Sequence, residues 1–328
     1  MTSVYFATNR ALTGSPSLWT SYGPNMMPGA DPAGMVYAVA TVEGTDLTRE
    51  NSGNITAITG VQNGSFTDAI KAEILSARRN ILIFLHGFGN ALRDGITRAA
   101  FNREWFASSG LKGADTTVVA FTWPSLGQVV AAPPHLLPDD YLRDQGNAQS
   151  SGPHIAAFFR QLQTMLMQAQ SAGQRSFLLA HSMGNYALQA AVQSWFTHGE
   201  AAQLLFNETF LAAADERDDS FAFPRPGRLS SLPLLTEHTW IYYSVRDVAM
   251  YLSAAVNLIG RIGFDGPDDK SNQSKFPPTQ FRMLDCADVG DYNLAVPPDA
   301  SHQYYRRSRK VRDHIASVMN GSPPPGLS

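Results

Sequence analysis

From residue 81 onward the apolar positions of this chain fall into short, nearly unbroken runs. Ile81-Leu82-Ile83-Phe84-Leu85 is the strongest, and Thr117 to Phe121, Phe177 to Ala180, Thr209 to Ala214 and Trp240 to Ser244 repeat the theme, with Phe281 to Cys286 read as a last strand. A run of this length without polar alternation predicts a strand covered on both faces. Helical spacing fills the intervals: about Ala91 to Ser108, Tyr141 to Ala169 with a break at Gly152-Pro153, Tyr186 to Ser194, Val248 to Ile259, and a closing helix over 302–319. Strands alternating with helices through short connections predict an α/β fold, a mostly parallel twisted sheet with helices on both faces.

Upstream the signal is thinner. Val4 to Ala7 and Met35 to Val42 read as strands, and Phe66 to Ala77 as a helix capped by Thr67 or Ser65. Residues 43–65 read as turns and short pieces, and Val129 to Pro138 and 218–236 as proline-bearing loops. The tail from Gly321 is expected to fray. No charge run, repeat or linker divides the chain, which predicts a single domain over 1–328 with loop insertions near 10–34, 125–138 and 260–279.

Composition narrows the class. The 328 residues are 44% hydrophobic and 16% charged, enough for a large core. A net charge of −3 offers no basic patch for a nucleic-acid partner. The single cysteine, Cys286, excludes internal disulfides and multi-cysteine metal sites, reads as a buried strand residue, and suits a reducing, cytoplasmic setting. No signal peptide and no integral membrane segment are expected. No phosphate loop, dinucleotide fingerprint or helical histidine pair is present, so no cofactor is expected.

The chemistry concentrates at Ala180-His181-Ser182-Met183-Gly184, between an apolar run and a helix. Small-x-Ser-x-Gly in that context is the pattern of a nucleophile elbow, a turn so tight that the residues two before and two after the serine must be small. A serine hydroxyl needs a base and an acid to orient that base, and in this arrangement the chain order is serine, carboxylate, histidine. Ser182, Asp247 and His302 meet that order, with Asp215 the next carboxylate and Asp285 and Asp288 weaker ones. His314 reads as part of a solvated helix face, His238 breaks the order, and His181 is expected to pack or hydrogen-bond within the turn. The backbone N–H groups of Met183 and of Phe88, in His86-Gly87-Phe88-Gly89, are the expected oxyanion donors.

These segments resemble the α/β-hydrolase superfamily. More narrowly, the chain is similar over about residues 3–320 to a bacterial α/β-hydrolase family long catalogued as a domain of unknown function. Val4 to Arg10, Phe84 to Phe88, Phe121 to Ser125 and Leu179 to Asn185 carry the likeness. It implies an esterase-like hydrolase whose acid and base match Asp247 and His302, and in which the Asp215 segment has a supporting part.

The expected function is therefore a serine hydrolase that cleaves small-molecule carboxylic esters through an acyl-enzyme. The same three side chains would serve a thioesterase, acyltransferase or peptidase, and a non-catalytic binding protein can keep the fold. Acyl length, alcohol and oligomeric state leave no mark in the sequence.

Overall fold

The computed structural model describes residues 1–29, 31–49, 52–126, 129–131, 134–136, 138–289 and 301–327. In chain order the strands are β1 (Thr2–Thr8), β2 (Arg10–Leu12), β3 (Tyr22–Met26), β4 (Val36–Glu43), β5 (Asn54–Asn63), β6 (Ile81–Leu85), β7 (Thr117–Thr122), β8 (Val129–Ala131), β9 (Pro134–Leu136), β10 (Ser176–His181), β11 (Phe206–Ala212), β12 (Thr236–Tyr243) and β13 (Phe281–Asp285). The helices are α1 (Asp68–Ser76), α2 (Leu92–Ala107), α3 (Pro138–Ser150), α4 (Gly152–Ser171), α5 (Gly184–Thr197), α6 (Val248–Asn257), α7 (Ile262–Asp265) and α8 (Arg309–Asn320).

Among the described residues, nine strands form one sheet in the order β13-β12-β11-β10-β6-β7-β1-β4-β5. From β13 to β1 every neighbouring pair is parallel, and β1–β4 and β4–β5 are antiparallel. The apolar runs of β6, β7, β10 and β11 have the burial they predicted, whereas β13, at the edge of the sheet, exposes Arg282 and Asp285 and leaves Met283 and Leu284 half-buried. All five residues of β6 are buried. Its side chains alternate, Ile81, Ile83 and Leu85 entering one core and Leu82 and Phe84 the other. Helices α4 and α5 cover the first face, and α2 and α8 the second. Each core therefore removes the central part of one face of the sheet from water, the main stabilising term for such a layered domain.

Several expectations need correction. Residues 43–65 contain a ten-residue edge strand, β5, which pairs with β4 and exposes most of its side chains. Its mixed polarity hid it, because an edge strand facing water on one side lacks a continuous apolar run. The 10–34 segment folds in part as the β2–β3 ribbon. The 125–138 segment carries the antiparallel pair β8–β9, with positions 127, 128, 132, 133 and 137 outside the described residues. Within 260–279 a one-turn helix, α7, packs where Gly263 N–H donates to the Ala214 carbonyl at 2.8 Å. The closing helix begins at Arg309, after a separate 3-10 turn at Tyr304–Arg306.

Ser182, His86, Asp215 and Asp247 all stand just past the carboxyl ends of β10, β6, β11 and β12. Parallel pairing puts those ends on one edge, where open α/β sheets place their sites.

Candidate functional site

Ser182 is a non-glycine residue in the left-handed region, with φ of 55°. Such a conformation costs roughly 1–3 kcal/mol and persists only where the surroundings over-determine it. Here its N–H donates to the Ala212 carbonyl at 3.0 Å, and its own carbonyl accepts from the N–H groups of Asn185 (2.9 Å) and Asp215 (3.1 Å) and from Asn185 Nδ2 (3.1 Å). Gly184 must be small, since a Cβ there would lie 2.6 Å from the Leu85 carbonyl oxygen. The turn delivers Ser182 to the N-terminus of the 14-residue α5, where unpaired N–H groups favour negative charge.

The His86-Gly87-Phe88-Gly89 loop packs against this elbow. A Cβ on Gly87 would meet Ser182 Cβ at 2.7 Å. Asn90 Nδ2 donates to the Gly87 and Phe88 carbonyls, both at 2.8 Å. In a trans peptide the N–H points opposite the C=O, so tying down the Gly87 carbonyl turns the Phe88 N–H the other way. Among the described residues neither the Phe88 nor the Met183 N–H has an acceptor within the chain.

His86 itself is a brace. Its Nε2 accepts the Trp123 N–H at 3.2 Å, its Nδ1 faces the Gly87 carbonyl at 3.0 Å, and its ring stacks on Trp123. Burial first, then the charge of Arg10, pulls its pKa down to about 3, so the imidazole stays neutral. Arg10 is buried too, donating from Nη2 to the carbonyls of Asn90 (2.6 Å) and Trp123. Desolvation lowers its pKa to about 10, still far above neutrality.

His302 Nδ1 lies 2.8 Å from Asp247 Oδ2. Asp247 has no exposed surface, and its other oxygen caps α6 by accepting the Met250 N–H at 3.0 Å. With Nδ1 engaged by a carboxylate, Nε2 is the nitrogen left to accept a proton. His181, the residue before Ser182, holds the histidine from below. Its Nε2 sits 3.2 Å from the His302 carbonyl and its ring centroid 4.8 Å from that of His302. Burial and the neighbouring His302 keep the His181 pKa well below its ordinary value, which fixes it as a neutral donor. Its contact thus reaches beyond the turn.

The other candidates go elsewhere. Asp215 accepts hydrogen bonds from Tyr141 and Ser253 and pairs by charge with Arg261. Asp288 pairs with Arg246 at an exposed site, and Asp285 caps the Ala287 N–H. His238 meets Glu208 at the opposite end of the strands. His314 is buried against Tyr242 Oη at 2.9 Å, with its pKa pulled to about 4 by desolvation. The solvated face belongs to its neighbours: the helical period sets His314 with Val311, Ile315 and Val318. Cys286 is buried and its thiol pKa raised, chiefly by burial. The hydrogen-bonding parts of Asn90, Asn185 and Arg10 are not read from the sequence, where Arg10 and Asn185 stand only as the ends of two segments that carry the likeness and Asn90 only directly after the glycine loop.

No curated protein matches the sequence. Among solved structures, the chain is similar to esterase PE8 at 15% identity, covering 70% of this chain and 92% of that one with a TM-score of 0.35. It is also similar to esterase B from Lactobacillus rhamnosis at 11% identity, with 90% and 84% covered and a TM-score of 0.40. Ester-hydrolase EH1AB1 from the metagenome of Lake Arreo stands at 14% identity, 89% and 81% covered, and 0.38. The family described as alpha/beta hydrolase of unknown function (DUF900) matches residues 62–316, most of the sheet and every site residue named above except Arg10, and the chain belongs to that family.

Proposed function

We propose that this protein is a serine hydrolase that cleaves carboxylic esters. Ser182 Oγ attacks the ester carbonyl carbon while His302 Nε2 takes its proton. Asp247 holds the ring through Nδ1 and stabilises the imidazolium that forms. The carbonyl oxygen, now an alkoxide, receives the N–H groups of Met183 and Phe88. The tetrahedral adduct collapses, the alcohol leaves with the proton from His302, and an acyl ester on Ser182 remains. Water, deprotonated by His302, then attacks that ester and releases the acid, returning the proton to Ser182.

The observation that carries this reading is the 2.8 Å pairing of His302 with Asp247, in a histidine that also rests on the residue preceding Ser182. A helix-capping carboxylate needs no histidine, and a surface histidine needs no buried carboxylate. The test is turnover of p-nitrophenyl acetate together with labelling by a fluorophosphonate mapped by mass spectrometry. The expected result is one label, on Ser182, and loss of both label and turnover in Ser182→Ala. A label on another residue, or full turnover by that variant, would overturn the reading.

A further inference from the structure

Asp215 is a buried carboxylate at the site edge that the proposed reaction does not use. Its carboxylate accepts from Tyr141 Oη at 3.0 and 2.9 Å and from Ser253 Oγ, with Arg261 Nε 3.4 Å away. All four side chains are at most 2% exposed. Burial, and then the charge of Asp215, raises the Tyr141 pKa, so its hydroxyl keeps the proton it donates.

Each partner of Asp215 leads to a different part of the site. Its backbone N–H donates to the Ser182 carbonyl at 3.1 Å, which reaches the elbow. The Tyr141 ring packs on Phe88 with centroids 6.0 Å apart, which reaches the glycine loop. Ser253 lies on α6, whose N-cap is Asp247. Asn257, one turn further along α6, closes the loop by donating Nδ2 to Tyr141 Oη at 3.0 Å. An ion pair placed only for stability would not need to touch all three segments.

We infer that Asp215 is a positioning residue that fixes the elbow, the Phe88 loop and the helix bearing Asp247 relative to one another, with Tyr141 and Ser253 as its two arms. The inference rests on the ester-hydrolase reading. A misplacement of about 1 Å between nucleophile and oxyanion donors can cost on the order of a hundredfold in rate. Removing the Tyr141 hydroxyl alone leaves the ring in place and cuts one arm.

The test compares Tyr141→Phe, Ser253→Ala and Asp215→Asn with the unmodified protein, using p-nitrophenyl acetate kinetics, the pH profile of kcat/KM, fluorophosphonate labelling rates and thermal midpoints. The expected result for Tyr141→Phe is a kcat lower by roughly ten- to a hundredfold, a matching fall in labelling rate, and a KM within about twofold. Asp215→Asn should keep the acid limb of the profile where the unmodified protein has it, because the residue does not touch His302. Unchanged kcat in Tyr141→Phe and Ser253→Ala, with or without a lower thermal midpoint, would overturn the inference. So would an acid limb that moves in Asp215→Asn. Failure of the unmodified protein to label or turn over would instead overturn the hydrolase reading, and the inference with it.

Discussion

Gly87 stands so close to Ser182 that a methyl group on its Cα would lie 2.7 Å from the serine Cβ and 3.3 Å from its Oγ. The glycine is there for contact, since it is not among the positive-φ residues. Gly87→Ala must push the loop off the elbow and carry the Phe88 N–H with it. We expect kcat for p-nitrophenyl acetate to fall by about 10²–10³, the effect of losing one oxyanion donor. Activity within twofold of the unmodified protein would remove Phe88 from the proposed role.

Ser182 sits at φ of 55°, where only glycine is at ease. Ser182→Gly should abolish turnover and yet raise stability by about 1 kcal/mol, the relief of that backbone strain. Equilibrium urea unfolding reads the gain. A variant less stable than the parent would mean that the elbow is not strained.

Asp247 has two tasks on two oxygens, capping α6 through Oδ1 and holding His302 through Oδ2. Asparagine is as good a helix cap as aspartate, so Asp247→Asn separates them. Stability should change by less than about 0.5 kcal/mol, while kcat falls by about 10³–10⁴, the scale known for such a replacement in a serine protease. Asp247→Ala should lose the cap as well, at about 1 kcal/mol. Steady-state kinetics and urea midpoints on both variants check the split.

Four buried histidines make the fold sensitive to acid. His86 and His314 are held at about 3 and about 4, His181 well below its ordinary 6.5 and His154 below it, in each case chiefly by desolvation. Their contribution is whole above pH 6.5 and is lost as the pH falls, because the unfolded chain takes up protons that the native state refuses. Glu216 acts in the opposite sense. Burial raises it from 4.5 to about 7, so its contribution is full below 4.5 and is lost as the pH rises through 7. Where the two windows overlap, four lowered histidines oppose the raised Glu216 carboxyl, each group once inside its window being worth about 1.4 kcal/mol per pH unit. Urea midpoints should fall from pH 6.5 to pH 5, and His314→Gln should flatten that slope by one group's share. A midpoint that holds or rises on acidification would contradict the balance.

How much of this was legible depended on the local signal. The five-residue run at Ile81 and the small residues flanking Ser182 announce themselves, because two-sided burial and a steric limit both act at the level of neighbouring residues. The edge strand Asn54–Asn63 does not, since one face is wet and its pairing partner supplies the order. His314 was misread from its charged neighbours Arg312 and Asp313, when the period of the helix rather than adjacency decides burial. Asp247 and Asp215 follow adjacent strands and look alike in sequence. What distinguishes them is long-range, a histidine 55 positions on for one and a tyrosine 74 positions back for the other.

The guanidinium of Arg10 grips the main chain beyond two different strands, at Asn90 and at Trp123. Replacing this arginine by alanine would therefore remove more than one side chain from β2. It would release a clamp that ties the exit of the glycine loop at Asn90 to the end of β7 at Trp123, and the damage would surface at a serine 172 positions away in sequence.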